Sequence, residues 1–330
     1  MRRPAIVIVT FKRQKLLAGL LDSIERLTVA PWRVVVVDNE DSEQTAHVVQ
    51  EFSGRVHELW GDTLDDPDAH GGVGRVVYAP QKENTGGSGG FCEGVRIAYE
   101  LGAEWFWVMD DDVSVEPDGL ETLDRWCDRA DAIQGQRRDF DGGAFFWQYR
   151  FSTALAIYNP LSRSSWRRGE ECKECNALCF EGGFFRRTIP EKVGLPDRRF
   201  FIYLDDACYG YLASKVDKVV LIPDFVLSRE REVANKEIGS VRQLNSTSDM
   251  TRLYITRNRA YLARYFQLHG DYNPVGYAFG TFLTYAKEII RLLIVDRGHL
   301  RSGMARLNEG WRESRKILHD PTWEPMSPLG

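Results

Sequence analysis

The sequence predicts an α/β fold built on a mostly parallel sheet with helices on both faces and a helical C-terminal extension. Three observations carry that prediction. Ala5 to Phe11, Arg33 to Asp38 and Trp105 to Met109 are short, apolar or aromatic runs that read as strands buried on both faces. Between the first two, Leu16, Leu17, Leu20, Leu21, Ile24 and Leu27 recur at helical spacing among charged residues. Strand and helix go on alternating, the pattern of right-handed βαβ units.

The remaining elements follow in order. Ser42 to Phe52 reads as a second helix, Leu59 to Val73 as an inserted surface loop and Arg75 to Ala79 as a third strand. Asn84 to Gly90, with four glycines in seven residues, reads as a loop feeding a helix from Phe91 to Leu101. Trp105 to Met109 then runs into three consecutive acids, with a helix expected near Glu116 and Pro117. Phe145 to Asn159 is expected to add strands at the sheet edge, and Ser162 to Glu174 to be loop. Leu195 to Ser214 should hold a strand and a helix around Asp205 and Asp206, and Val216 to Ile222 a strand closed by Pro223. Helices are expected over Asp249 to Gln267, Pro274 to Val295 and Leu300 to Leu318. This divides the chain into a catalytic region, 1–244, and a helical region, 245–330.

Hydrophobic residues make up 43% of the 330 and aromatics 12%, enough for a substantial core. No charge-free stretch is long enough to span a bilayer, since Lys287, Glu288 and Arg291 interrupt the best candidate. The N-terminal apolar run reads as a strand rather than a secretory leader, and six cysteines do not make a disulfide scaffold, so a cytoplasmic location is expected. The net charge of −5 conceals an asymmetry. Residues 1–228 carry 27 Lys and Arg against 37 Asp and Glu, whereas residues 229–316 carry 16 against 9. A basic C-terminal third suggests either an anionic partner or a solvated helical surface. Residues 252–266, with four Arg among aromatic and aliphatic residues, fit an amphipathic helix on an anionic membrane, or one packed on the catalytic domain. No nucleic-acid-binding motif is present, so no nucleic-acid partner is expected.

Several clusters could carry chemistry. Asp110, Asp111 and Asp112 end a buried strand, where acids are costly without a cation. Hard ions such as Mn2+ or Mg2+ bridge carboxylates to phosphates, and alternate residues of extended chain share a side. Asp110 and Asp112 are therefore the candidate metal pair, with Asp111 toward the sheet or a sugar; an acidic turn is the other reading. Asp38, at the end of the second strand, suits a nucleotide's ribose or base, or an Asx turn. The glycines after Asn84 would let backbone N–H groups approach an anion, but the stretch is neither a P-loop nor a GxGxxG fingerprint. Asp205 and Asp206 form a second acid pair, a candidate general base or the favourable acids of a helix N-terminus. Cys172, Cys175 and Cys179 bring zinc to mind, but no His lies between residues 71 and 268, and ordinary reduced cysteines fit better.

The order of these motifs is more specific than any one of them. Val-Ile-Val-Thr-Phe-Lys-Arg, Val-Val-Val-Val-Asp-Asn, Asn-Thr-Gly-Gly-Ser-Gly-Gly-Phe and Trp-Phe-Trp-Val-Met-Asp-Asp-Asp, in that succession, resemble the inverting family-2 glycosyltransferases of GT-A, Rossmann-like fold. Among these the chain is most similar to bacterial galactofuranosyltransferases, with rhamnosyltransferases as neighbours, over roughly residues 5–265. The resemblance implies that Thr10, Arg13, Asp38 and Asn39 surround the nucleotide, that Asn84, Gly86 and Gly87 lie near the diphosphate, and that Asp110 and Asp112 hold metal with Asp111 beside the donor. It implies that Asp206, or else Asp205, is the base, and that Glu181, Gly182 and Gly183 form the acceptor-side wall. Relatives often place a metal-binding His about two dozen residues after the base. Here Pro223 to Arg229 offers no His and Arg229 stands near that place, so either the metal keeps an extra water or Arg229 helps neutralise the diphosphate instead. The implied activity is metal-dependent transfer of a sugar, galactofuranose from UDP-galactofuranose first among them, to a hydroxyl of a glycan or polyprenyl-diphosphate-linked acceptor at the inner face of the cell membrane. A rhamnosyl- or hexopyranosyltransferase is the nearest alternative. A nucleotidyltransferase would place its glycine-rich loop after the first strand, and a non-catalytic sugar-binding module leaves both acid clusters unexplained.

Overall fold

The computed structural model of the protein describes residues 2–61, 74–159, 161–162, 165–231, 235–238 and 242–330. Its first half runs β1 (Pro4–Thr10), α1 (Gln14–Ile24), β2 (Arg33–Asp38), α2 (Glu43–Trp60), β3 (Val76–Pro80), α3 (Gly86–Glu100) and β4 (Trp105–Asp110). Then come β5 (Val113–Val115), α4 (Gly119–Asp124), β6 (Ala132–Arg138), three two-residue strands β7 (Phe151–Ser152), β8 (Ile157–Tyr158) and β9 (Lys173–Glu174), and β10 (Gly183–Arg186). Next are α5 (Thr188–Val193), a 3₁₀ turn at Arg198–Phe200, α6 (Asp205–Val216), β11 (Val219–Arg229), β12 (Asn235–Ile238) and β13 (Arg242–Asn245). The chain ends in α7 (Asp249–Leu268), α8 (Pro274–Ile294) and α9 (Leu300–Leu318).

The main sheet has the order β3-β2-β1-β4-β10-β6-β11-β5, with β9 also pairing β11. Strands β3, β2, β1 and β4 are parallel, β10 is inserted antiparallel between β4 and β6, and β11 runs parallel to β6. The two-residue period splits β1 between two cores. Ala5, Val7 and Val9 pack with residues of α3, α6 and α7, while Ile6 and Ile8 pack with α1 and α2 through Leu17, Leu20, Leu21, Val49 and Phe52. Leu262, Ala263, Tyr265 and Phe266 place α7 in the same core as the sheet.

Several expectations need correction. Helix α2 continues eight residues past Phe52 and takes in Leu59 and Trp60; the rest of the expected inserted loop, 62–73, lies outside the described residues. The glycine-rich stretch is not a loop but the opening of α3. A Cβ on Gly90 would stand 2.4 Å from Val9 Cγ1 and one on Gly94 2.4 Å from Val7 Cγ1, so glycine lets α3 lie close on β1. Residues 145–159 do not extend the sheet edge: β7 and β8 form a separate hairpin. Phe200 to Leu204 is no strand either, because Phe201, Tyr203 and Leu204 adopt left-handed backbone with φ of 64°, 68° and 67°. Strand β11 is not closed by Pro223 but passes through it at a register shift between Leu221 and Phe225, where a missing N–H is tolerated.

Candidate active site

The carboxyl ends of β1 and β4 open into a crevice where the sheet's strand order reverses, the usual ligand position in such sheets. Its acids are held apart by their neighbours. Asp111 is buried and turns to β1, where its Oδ2 accepts from the Thr10 hydroxyl at 2.7 Å and its Oδ1 from Arg13 Nη1 at 3.0 Å. Asp110 and Asp112 instead line a cleft of about 860 Å³, together with Arg13, Gly87, Glu181, Asp206 and Arg229. Desolvation, then the charges of Asp112, Glu181 and Asp111, push the Asp110 carboxyl well above its ordinary range, against only Arg13. Asp112 is 3.1 Å from Arg13 Nη1 and 3.5 Å from Arg231 Nη1.

Among the described residues no three His, Cys, Asp or Glu side chains form a ready-made ligand set. Asp110 and Asp112 nonetheless fit a hard divalent ion, because both are oxygen donors lining the cleft and Asp110 is crowded by the charges of Asp112, Glu181 and Asp111.

The neighbouring residues anchor loops. Asp38 is fully buried; its Oδ1 accepts from Glu40 N–H and its Oδ2 from Ser42 N–H, both at 2.9 Å, and Oδ2 also from the Tyr78 hydroxyl at 2.8 Å. Asn39 donates to the Gly86 carbonyl at 3.0 Å and accepts from the Thr85 hydroxyl at 2.9 Å, tying β2 to the start of α3. Asn84 Oδ1 accepts from Gly86 N–H at 2.9 Å. Of this group Gly87 lines the cleft, whereas Asp38, Asn39, Asn84 and Gly86 stand behind it.

Opposite the β4 acids, α6 begins with Asp205 and Asp206 after the left-handed Leu204. Both line the cleft. Desolvation and then the Asp205 charge raise the Asp206 carboxyl to about 7, while the Ala207 N–H, which donates to Asp206 Oδ1 at 2.7 Å, and the Cys179 thiol oppose the rise. Asp205 is raised too, chiefly by desolvation. The acids therefore are first-turn residues of a helix, and one of them is at the same time tuned to hold or release a proton near neutrality.

Glu181 closes the third side. Its Oε1 accepts from Arg229 Nε at 2.8 Å and its Oε2 pairs with the buried Arg137, while both guanidiniums lie over the Phe145 ring. Gly182 and Gly183 carry the chain from Glu181 into β10, and a Cβ on Gly182 would meet Leu227 at 2.6 Å. Arg229 thus stands at the cleft beside an acid.

With this geometry in place, the profile of Glycosyl transferase family 2 matches residues 5–193, more than half of the chain. The chain belongs to that family. Galactofuranosyltransferase GlfT1 of Mycolicibacterium smegmatis is 27% identical to it over 213 residues, 61% of this chain and 61% of that protein. The match thus spans about three fifths of the curated relative's length. Among solved structures, Staphylococcus aureus TarS 1–349 aligns with a TM-score of 0.54 at 11% identity, covering 97% of this chain and 81% of that one. The mannosyltransferase PcManGT from Pyrobaculum calidifontis, in complex with GDP-Man and Mn2+, aligns at 0.52 and 15% identity, covering 93% and 75%. These two likenesses are of fold.

In this member of family 2 the cleft also contains residues that the sequence did not assign to it. Tyr158 is raised well above the ordinary phenol range by desolvation and next by the charge of Asp206, and Cys179 accepts from Arg137 Nη1 at 3.0 Å. Ile255 and Arg259 of α7 and Thr284 and Lys287 of α8 complete the wall. A buried Arg in the strand Ala-Ile-Gln-Gly-Gln-Arg-Arg was a usable signal for Arg137; the others meet only through tertiary folding. Of the two readings of residues 252–266, the contacts of the arginines favour the helix packed on the rest of the chain. Arg252 pairs with Asp249 and Asp296, Arg257 donates to the carbonyls of Arg199 and Phe200, Arg259 to those of Leu155 and Tyr277, and Arg264 to those of Leu318 and Asp320. Helix α7 is packed on the catalytic domain.

Proposed function

We propose that the chain transfers a sugar from a nucleotide-diphosphate donor, UDP-galactofuranose first, to a hydroxyl of a glycan or polyprenyl-linked glycan by a single inverting displacement. The observation that carries this reading is Asp206, a carboxylate raised to about 7 in the same cleft as the Asp110 and Asp112 pair. Arg13 borders the nucleotide, Thr10, Asp38 and Asn39 hold the strand ends behind it, and Asn84 and Gly86 shape the start of α3, which presents Gly87 to the diphosphate. Arg13 and Arg229 balance the donor's negative charge. A Mn2+ or Mg2+ ion, held by Asp110 and Asp112, would neutralise charge developing on the departing nucleotide. Asp206 accepts the proton of the acceptor hydroxyl as its oxygen bonds to the anomeric carbon and the glycosidic bond to the diphosphate breaks. Glu181 and the glycines after it fix the acceptor side. Residues 1–244 supply the donor half, and residues 245–330 brace it.

The galactofuranose assignment is supported by the GlfT1 similarity, and a donor screen tests it. UDP-galactofuranose, dTDP-rhamnose and UDP-hexopyranoses are each offered with Mn2+, with octyl glycosides as acceptors. Turnover of UDP-galactofuranose is expected, and exclusive use of another donor would reassign the sugar.

No helix among the described residues is long and apolar enough to cross a membrane. Helix α8, not α7, carries exposed Phe279, Phe282, Ile290 and Leu293, and exposed Arg297 and Arg301 follow it. That pairing of apolar and basic groups supports peripheral contact of this helix with an anionic bilayer at the cytoplasmic face. Flotation with phosphatidylglycerol vesicles should carry the full chain but less of a Phe279→Ser/Phe282→Ser variant; equal partitioning rejects the contact.

A further inference from the structure

The cleft extends beyond its acid-lined half, and its far wall is assembled from three elements. The β7–β8 hairpin supplies Ala156 of its turn and Ile157 of β8, α7 supplies Ile255 and Arg259, and α8 supplies Thr284 and Lys287. These pieces are built into one another. A Cβ on Gly280 would stand 1.9 Å from the Leu155 carbonyl oxygen, and one on Gly276 2.3 Å from that of Ala154. Two glycines thus leave room on α8 for the turn's backbone. Arg259, almost fully buried, locks the junction by donating to the Ala156 carbonyl, to the Leu155 carbonyl at 3.0 Å and to the Tyr277 carbonyl at 3.2 Å. Tyr158, the last residue of the hairpin, lines the same cleft as Asp206, so this wall continues from the proposed base.

We propose that the wall formed by the β7–β8 turn, α7 and α8 is the subsite for the acceptor carbohydrate. Thr284 and Lys287 meet its hydroxyls, and Ile255 and Leu283 meet the apolar face of its ring. This rests on the sugar-transfer reading above. The donor diphosphate needs the end of the cleft lined by Arg13, Gly87 and Asp110, and the acceptor hydroxyl must reach Asp206 from what remains. The chemistry of the wall suits a hydroxyl-rich ligand. Thr284 donates to the Gly280 carbonyl at 2.9 Å and keeps its oxygen as an acceptor, Lys287 is a donor, and the apolar side chains alternate with them. Pockets that combine apolar surface with a few placed polar groups select ligands by orientation.

The test compares Thr284→Val, Lys287→Ala and the double variant with wild type, using the octyl glycoside and donor that wild type turns over in the screen above. The acceptor KM should rise about three- to tenfold for each single variant, as for one lost hydrogen bond, and further for the double. The dissociation constant of UDP, measured by titration calorimetry, should stay within twofold of wild type. An unchanged acceptor KM in the double variant, or a weakened UDP affinity in place of it, overturns the subsite. A wild-type chain that turns over no donor overturns the sugar-transfer reading, and the subsite with it.

Discussion

The carbonyl oxygen of Phe201 occupies the space that a side chain on Gly86 would need, 2.1 Å from the ideal Cβ position, and accepts the Ser88 N–H at 3.0 Å. The start of α3 and the segment leading to Asp205 and Asp206 are therefore fitted to each other backbone to backbone. Gly86 also has a φ of +72°, which glycine adopts without strain. Gly86→Ala meets both obstacles. It is expected to cost about 2–4 kcal/mol of stability and to weaken UDP binding, read by thermal denaturation and titration of the purified variant. Unchanged melting and affinity would mean that the two segments are not coupled.

Asn258 holds the other side of the same segment. Its side-chain amide is buried and contacts the carbonyl oxygens of Phe200, Ile202 and Tyr203 at 3.0, 2.7 and 2.8 Å. Two of the residues between Phe200 and Asp205 with left-handed backbone, Tyr203 and Leu204, would each cost about 1–3 kcal/mol if nothing held them. Asn258→Ala should lower kcat about tenfold or more by displacing Asp206, with UDP affinity kept. Circular dichroism and single-turnover kinetics check this: a folded variant of normal kcat would free Asn258 from any positioning role.

The Asp206 carboxyl, raised to about 7, has two pH consequences of known sign. As a base it must be deprotonated, so kcat/KM should climb as pH rises toward about 7 and level off above it. Asp206→Asn should lose about 10²–10⁴ in kcat together with that limb. For stability, a folded-state pKa raised from 3.8 means that the native chain binds the proton more tightly than the unfolded one. The contribution is fully present below about pH 4 and is lost as pH rises through about 7. Asp206→Asn should therefore melt well above wild type at pH 8, by less at pH 5, and close to it only below about pH 4. A variant less stable than wild type at pH 8 would contradict the desolvated-base reading.

Metal removal separates the two acid clusters. EDTA should abolish transfer, and Mn2+ or Mg2+ should restore it. Asp110→Asn should stay at least about 10²-fold low at saturating metal, since a lost charge at the diphosphate is worth several kcal/mol. Turnover that persists undiminished in EDTA would assign charge neutralisation to Arg13 and Arg229 instead.

What the sequence disclosed follows from where the signals are local. Strands β1, β2 and β4 are buried on both faces, so each is an unbroken apolar run ending at a site residue, Thr10, Asp38 or Asp110. The three C-terminal helices were legible from their periodicity and from Pro274 at the first turn of α8. The glycines of α3 misled because they answer to Val7, Val9 and Phe201, all distant in sequence. The arginines of α7 left two readings open for the same reason, since a helix surface rich in charge looks solvated until its partners, Asp296 and a set of backbone carbonyls, are known. Tyr158 and Cys179 line the cleft with Asp206 from separate segments; no local pattern marks Tyr158, and the cysteine spacing that marked Cys179 pointed to zinc instead.

The anomeric configuration of the product tests the central claim most directly. Wild-type enzyme is supplied with a UDP-α-linked donor, UDP-galactofuranose first, and Mn2+, and the new linkage is read by NMR coupling at the anomeric carbon. A single displacement with Asp206 as base predicts the β-linkage and its disappearance in Asp206→Asn. An α-linked product, or β-linked product formed at the wild-type rate by Asp206→Asn, would contradict it.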